Sequence, residues 1–142
     1  MKRFLSILAA FALVLALAGC VSGQGAKGYK LAKKEIKDAV AENDGYKFGK
    51  FTGGNFVHVK KQTVDNGSLA GIDLGETNLV EAWYFEINFT YKNDKGEEKT
   101  GTGYYYFEKG ADKVSYDTLG ALFASYKSAV NDGKVKGKLG TL

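Results

Sequence analysis

The sequence predicts an α+β domain: an antiparallel twisted sheet of about four or five strands, with an N-terminal and a C-terminal helix packed on one face. Three observations predict it. Apolar residues recur at helical spacing near both ends of the region 27–133. Large apolar and polar residues alternate strictly through its middle. Glycine-containing turn signals separate these stretches.

The first helix runs from Lys27 to about Glu42, with Tyr29, Ala32, Ile36, Ala39 and Val40 as its apolar stripe. Asn43-Asp44-Gly45 supplies a stop with a C-terminal glycine. The opposite face carries Lys30, Lys33, Lys34 and Lys37, with Glu35 and Asp38 as local partners, and reads as a solvated surface.

Residues 46–52 and 55–64 read as strands joined at Gly53-Gly54, a two-residue hairpin signal. Asp65-Asn66-Gly67 marks a second turn, and residues 68–78 read as a loop with a short strand at most. The hairpin over 79–109 is the most informative segment. Trp83, Phe85, Ile87, Phe89 and Tyr91 alternate on one face. Asn93-Asp94-Lys95-Gly96 fits a type I turn closed by a glycine bulge, which pairs Asn93 with Glu97. That register sets Thr90 opposite Thr100, Asn88 opposite Thr102, and Trp83 opposite Phe107. It also sets Ile87 and Phe89 opposite Gly103 and Gly101, which leaves room for them or for a helix packed across them. A last helix has the stripe Leu119, Leu122, Phe123, Tyr126 and Val130, capped by Asp117 or Thr118 and stopped at Asn131-Asp132-Gly133. It is expected to cover the Trp83/Phe107 face. Residues 134–142 read as a loose basic tail.

The N-terminus has the three parts of a secretory signal: Lys2 and Arg3, then an apolar run over 4–18 broken only by Ser6, then Ala18 and Gly19. The run is too short to span a bilayer comfortably, which takes about 20 apolar residues. Leu17-Ala18-Gly19-Cys20 at its end resembles the lipobox of bacterial lipoprotein precursors. The resemblance implies that a peptidase recognises Leu17, Ala18 and Gly19, cuts before Cys20, and leaves acyl chains such as palmitate on Cys20. Two or three chains on one residue anchor it stably in a membrane. Val21 after the cysteine, in place of an aspartate, implies the outer membrane in enterobacteria-like sorting. The division is then 1–19 signal peptide, 20–26 lipidated cysteine and flexible tether, 27–133 domain and 134–142 tail. The layer arrangement is similar to cystatin-like and other small helix-plus-sheet exported domains, a likeness of architecture that carries no function.

Cys20 is the only cysteine, so the domain holds no intramolecular disulfide. Beyond Lys2 and Arg3, 18 lysines face 16 acidic residues, a balance that does not point to nucleic acid. His58, the single histidine, has no cysteine or carboxylate cluster near it in sequence and reads as structural. Asp94, Glu97 and Glu98 lack calcium-loop spacing. Gly101-Thr102-Gly103 sits within a strand and not before a helix, so it is no phosphate loop. No serine lies in a nucleophile elbow. Catalytic residues, metal ligands and cofactors are therefore not expected. The candidate binding surface is the hairpin's other face, with Tyr84, Tyr104, Tyr106, Asn88 and Thr102, because tyrosine is enriched at interfaces. The expected function is a non-enzymatic binding or accessory domain of the cell envelope, facing a protein or glycan. Two alternatives are an inhibitor of an envelope-attacking enzyme, and a small-ligand carrier or enzyme with its pocket near Gly101 and Gly103.

Overall fold

A computed structural model describes residues 21–142. The expected signal peptide and the residues Leu17, Ala18, Gly19 and Cys20 lie outside the described residues. The main sheet is antiparallel and has five strands. Its elements follow helix α1 (Gly23–Ala41) in the order β1 (Lys47–Val59), β2 (Gln62–Asp65), β3 (Ser68–Leu69), β4 (Ile72–Asp73), β5 (Glu76–Leu79), β6 (Ala82–Lys92), β7 (Glu98–Glu108) and β8 (Ser115–Tyr116). A 3-10 turn (Thr118–Gly120), helix α2 (Ala121–Asn131) and strand β9 (Gly137–Thr141) complete the chain. Across the sheet the order is β8-β7-β6-β1-β9, while β2 to β5 form a separate arm. The domain is α+β, with an N-terminal and a C-terminal helix. Among the described residues no helix is long and apolar enough to cross a membrane.

The β6–β7 hairpin has the register its pattern dictates: Lys92 faces Glu98, Asn88 faces Thr102, and Trp83 faces Phe107. Asn93 N–H donates to the Glu97 carbonyl, and Gly96 takes the left-handed conformation that a glycine bulge needs. The Asn93 side-chain oxygen accepts the N–H groups of Lys95 and Glu97, which locks the turn.

Gly53-Gly54 is not a hairpin turn. The chain continues through it as one long strand that shifts register against β6 between Phe48 and Phe51 and again between Phe51 and Gly53. The glycines serve close approach: a Cβ on Gly54 would collide with the Glu86 carbonyl oxygen. The true reversal comes later. Residues 62–79 form one hairpin arm in continuous register, with Gln62 opposite Leu79 and Leu69 opposite Ile72. It turns at Ala70-Gly71, both left-handed.

Helix α1 starts four residues before Lys27, so residues 23–26 are not a tether. Gly25 and Gly28 are buried because they are the contact surface: a Cβ on Gly25 would strike Trp83, and one on Gly28 would strike Phe107. Val21, Ala32 and Ile36 join Phe56, Trp83, Phe85, Ile87 and Phe107 in the core on this face.

Helix α2 does not share that face. Its Phe123 packs with Val57, Val59, Ala82, Tyr84 and Val135 on the opposite side of the sheet. The Trp83/Phe107 side is already filled by α1, and Val57 and Val59 of β1 with Ala82 and Tyr84 of β6 make the opposite side apolar enough to need a cover. Leu119 and Leu122, expected in the buried stripe, are exposed, while Phe123, Tyr126 and Val130 face inward. Asp117 caps α2 as expected, from a buried position (2 % exposed), its two carboxylate oxygens accepting the N–H groups of Leu122 and Phe123. Residues 134–142 are not a loose tail: Val135 is core, and β9 pairs with β1 as the sheet's edge.

Two outcomes follow for stability. Gly28→Ala is expected to lower the urea midpoint, since overpacking costs about 1–3 kcal/mol and exceeds the gain of about 1 kcal/mol in helix propensity. Asp117→Ala is expected to cost about 1–3 kcal/mol by stranding two N–H groups, with Asp117→Asn losing less.

Candidate functional site

The five residues of the expected tyrosine/threonine surface lie on one face of the hairpin, and of them Tyr84 is buried. Tyr84 is buried beneath α2, its ring 4.5 Å from Tyr126 and 5.7 Å from Tyr106. Burial, reinforced by Tyr126, pushes its phenol well above the usual tyrosine range. Tyr84 is therefore withdrawn from the candidate surface, and Tyr106 is half-buried beside it. Tyr104 donates its hydroxyl to Glu86 at 3.0 Å, and Asn55 holds the other Glu86 oxygen at 3.0 Å. Burial first, and Glu86 second, raise the Tyr104 phenol. Tyr104, Glu86, Leu119, Phe123 and Lys127 line a depression of about 490 Å³ against α2. Asn88 and Thr102 are the next pair along the same face, the Thr102 hydroxyl donating to Asn88 at 2.9 Å.

A second concavity lies on the α1 side, where Gly101 and Gly103 leave the floor of β7 bare. The Phe89 ring covers Gly101, and Ile36 of α1 covers Gly103. The groove holds about 320 Å³ and is walled by Ile36 and Val40 from α1 and by Asn43 just beyond it, with aromatic side chains at either end. Tyr46 stacks on Tyr91 at 5.9 Å at one end, and Tyr105 meets Tyr116 edge-on at 5.7 Å at the other. Burial, with Glu35 as a lesser cause, raises the Tyr105 phenol.

The groove borders a sheet edge that is only partly closed. Strand β8 pairs with β7 at Tyr105 and Tyr106, and Asp117 N–H donates to the Tyr104 carbonyl. The Asn93–Glu97 and Lys109–Glu81 backbone bonds show that odd-numbered residues of β7 pair with β6. The N–H and C=O groups of Thr100 and Thr102 therefore point out from the edge, where the sheet has no further strand among the described residues. Asn43, Thr102 and the hydroxyls of Tyr46, Tyr91, Tyr105 and Tyr116 are polar groups among the groove's apolar walls. Such an arrangement can take an extended peptide or a flat apolar group.

His58 is placed by structure. Its ring stacks on Trp83 at 4.5 Å, nearly parallel, and its Nε2 lies 2.8 Å from Glu81. Lys109 sits 3.2 Å from the other Glu81 oxygen. The His58 hydrogen bond, then Lys109, holds the Glu81 carboxyl below its usual range. Among the described residues no group of three or more His, Cys, Asp and Glu side chains could hold a metal ion. Lys33 and Lys37, expected on a solvated face, reach over aromatic rings, Lys33 at 4.4 Å from Tyr29 and Lys37 at 5.6 Å from Phe48.

The pocket near Gly101 and Gly103 was visible in the hairpin register. The aromatic ends were not, because Tyr46 reaches Tyr91 only when residues 47–59 form one strand along β6.

The Glu81 cluster gives a pH signature. A carboxyl depressed on folding stabilises fully above its unfolded value, near 4.5, and the contribution is lost as pH falls through the lower folded value. Glu81→Gln is expected to lower the Tm at pH 7, with the difference from the parent shrinking below pH 4.5 in paired thermal scans.

The chain matches no family model, no curated protein and no solved structure, so a functional reading starts from these residues and their geometry alone.

Proposed function

We propose that the chain is a lipid-anchored protein of the bacterial cell envelope whose domain binds a partner without chemically changing it. The lipobox residues Leu17-Ala18-Gly19-Cys20 support the anchor. The observation that carries the binding role is the groove between α1 and β7, where an aromatic-ended apolar trough runs beside the outward N–H and C=O groups of Thr100 and Thr102. Main-chain groups along a free edge give affinity to an added strand, and a neighbouring pocket selects its side chains. An extended segment of an envelope protein fits both features. The groove's volume also suits a small apolar ligand, which is the second reading.

The edge is the discriminating element. Thr102→Pro removes an N–H that points away from β6, so the hairpin stays paired while the edge loses a donor. A photo-crosslinking residue at Tyr116 is expected to give a discrete adduct in the native envelope, and Thr102→Pro is expected to abolish it. An adduct unaffected by Thr102→Pro indicates the small-ligand reading or a partner that does not add as a strand. For the anchor, mass spectrometry is expected to find a membrane-extracted chain beginning at an acylated Cys20. Cys20→Ser is expected to remain at precursor mass.

A further inference from the structure

We propose that the 62–79 arm is a second membrane contact, its apolar face (Leu69, Ile72 and Leu74) resting on the same lipid surface that holds Cys20; this rests on the reading of Cys20 as the lipidated residue. Where the chain enters the domain and where the arm leaves it are the same end of the sheet. Val21, adjacent to Cys20 in the chain, is buried with Trp83 and Phe107. Consecutive Cα atoms are about 3.8 Å apart, so acyl chains on Cys20 would tether this end of the domain close to the membrane. The arm leaves from Val59, which pairs with Ala82, and returns through Glu81 to Ala82. Trp83, the packing partner of Val21's cluster, is the next residue along β6.

The root of the arm is fixed. The Gln62 amide donates to the carbonyls of Lys60 and Lys136 and accepts the Lys136 N–H, and Val64 and Leu79 pack against the α2-side core. The far part is another matter. Leu69, Ile72 and Leu74 are 69, 66 and 50 % exposed, three large aliphatic side chains within six residues. Leu69 and Ile72 are direct cross-strand partners, and Leu74 lies two residues beyond Ile72, so all three share one face of the hairpin. The arm spans about 20 Å at the usual rise per strand residue, long enough to lie along an interface. Apolar clusters of this kind mark contact sites.

The charges decide how lipid would be met. Asp65, Asp73 and Glu76 flank the tip. The carboxylates of Asp65 and Asp73 accept the N–H groups of Gly67 and Gly75, so they shape the arm as well as charging it. Three acidic groups do not favour an anionic surface. The contact is apolar and shallow, made with neutral lipid, and it is insensitive to salt.

The test uses the full chain, processed in a bacterium and reconstituted into phosphatidylcholine vesicles. Acylation occupies the Cys20 sulfur, so Ile72→Cys supplies the one free thiol for an environment-sensitive fluorophore. A label at Glu97→Cys, in the β6–β7 turn at the other end of the sheet, is the control. The expected result is blue-shifted emission at position 72, quenched by nitroxide lipids and unchanged in high salt, with water-like emission at 97. Water-like emission at both positions, on protein whose mass shows acylated Cys20, overturns the arm contact and leaves the anchor standing. Blue-shifted emission at 72 that nitroxide lipids do not quench means that a second copy or another protein covers the arm, and also overturns it. An unmodified Cys20 thiol by mass overturns both readings.

Discussion

A helix can lie directly on Trp83 and Phe107 only because Gly25 and Gly28 place no side chain between them. That contact closes the end of the sheet where the chain enters, buries Val21, and sets the path of α1 across β6 and β7. Farther along, Ile36 comes down over Gly103, so the same principle, bare backbone under a large side chain, is repeated in the opposite sense: first the helix supplies the glycines, then the strand does. Once α1 occupies this face, Val57 and Val59 of β1 and Ala82 and Tyr84 of β6 must be covered from the other side, and α2 with Phe123 covers them. Ala82 to Phe85 end up buried on both faces, and β6 is the central strand, flanked by β1 and β7 and touched by both helices.

The parts of this arrangement that could be read from the chain were those governed by local chemistry. The β6–β7 register follows from alternation and from an Asn-x-x-Gly turn, both decided within a few residues. The Asp117 cap follows from its position before an apolar stripe. The parts that could not be read depend on distant atoms. Gly53-Gly54 has the composition of a turn, and only the Glu86 carbonyl pressing on Gly54 makes it a passage within one strand. Ala70-Gly71 makes the actual turn, although alanine is a poor residue for a left-handed position. Residues 23–26 look like a linker because small residues suit both linkers and close packing. Residues 134–142 look disordered because β9 holds few apolar side chains and gains its place from pairing with β1.

The candidate surface moved for a related reason. A tyrosine on the even face of a strand is equally compatible with water and with a helix, and α2 resolved the matter for Tyr84. What replaced it, the α1–β7 groove, is built from glycines and from aromatic residues brought together across three elements, so its floor was legible in the hairpin and its ends were not. The groove lies beside Val40 and Asn43 near the C-terminal end of α1, while the arm leaves from the sheet end, Val59 and Ala82, next to the Trp83 that packs with Val21. On the proposed reading, a domain seated by one end presents the other to its surroundings.

On the proposed reading of Cys20, the burial of Val21 also bears on the order of events during export. A peptidase must hold several residues on both sides of the bond it cuts in an open conformation, and Val21, two residues from the Gly19–Cys20 bond's first member, belongs to the folded interior. Maturation and the docking of α1 onto Trp83 then compete for the same short stretch of chain. The cut, on the proposed reading, is made while the first turn of α1 is still undone, and the finished protein cannot be processed late.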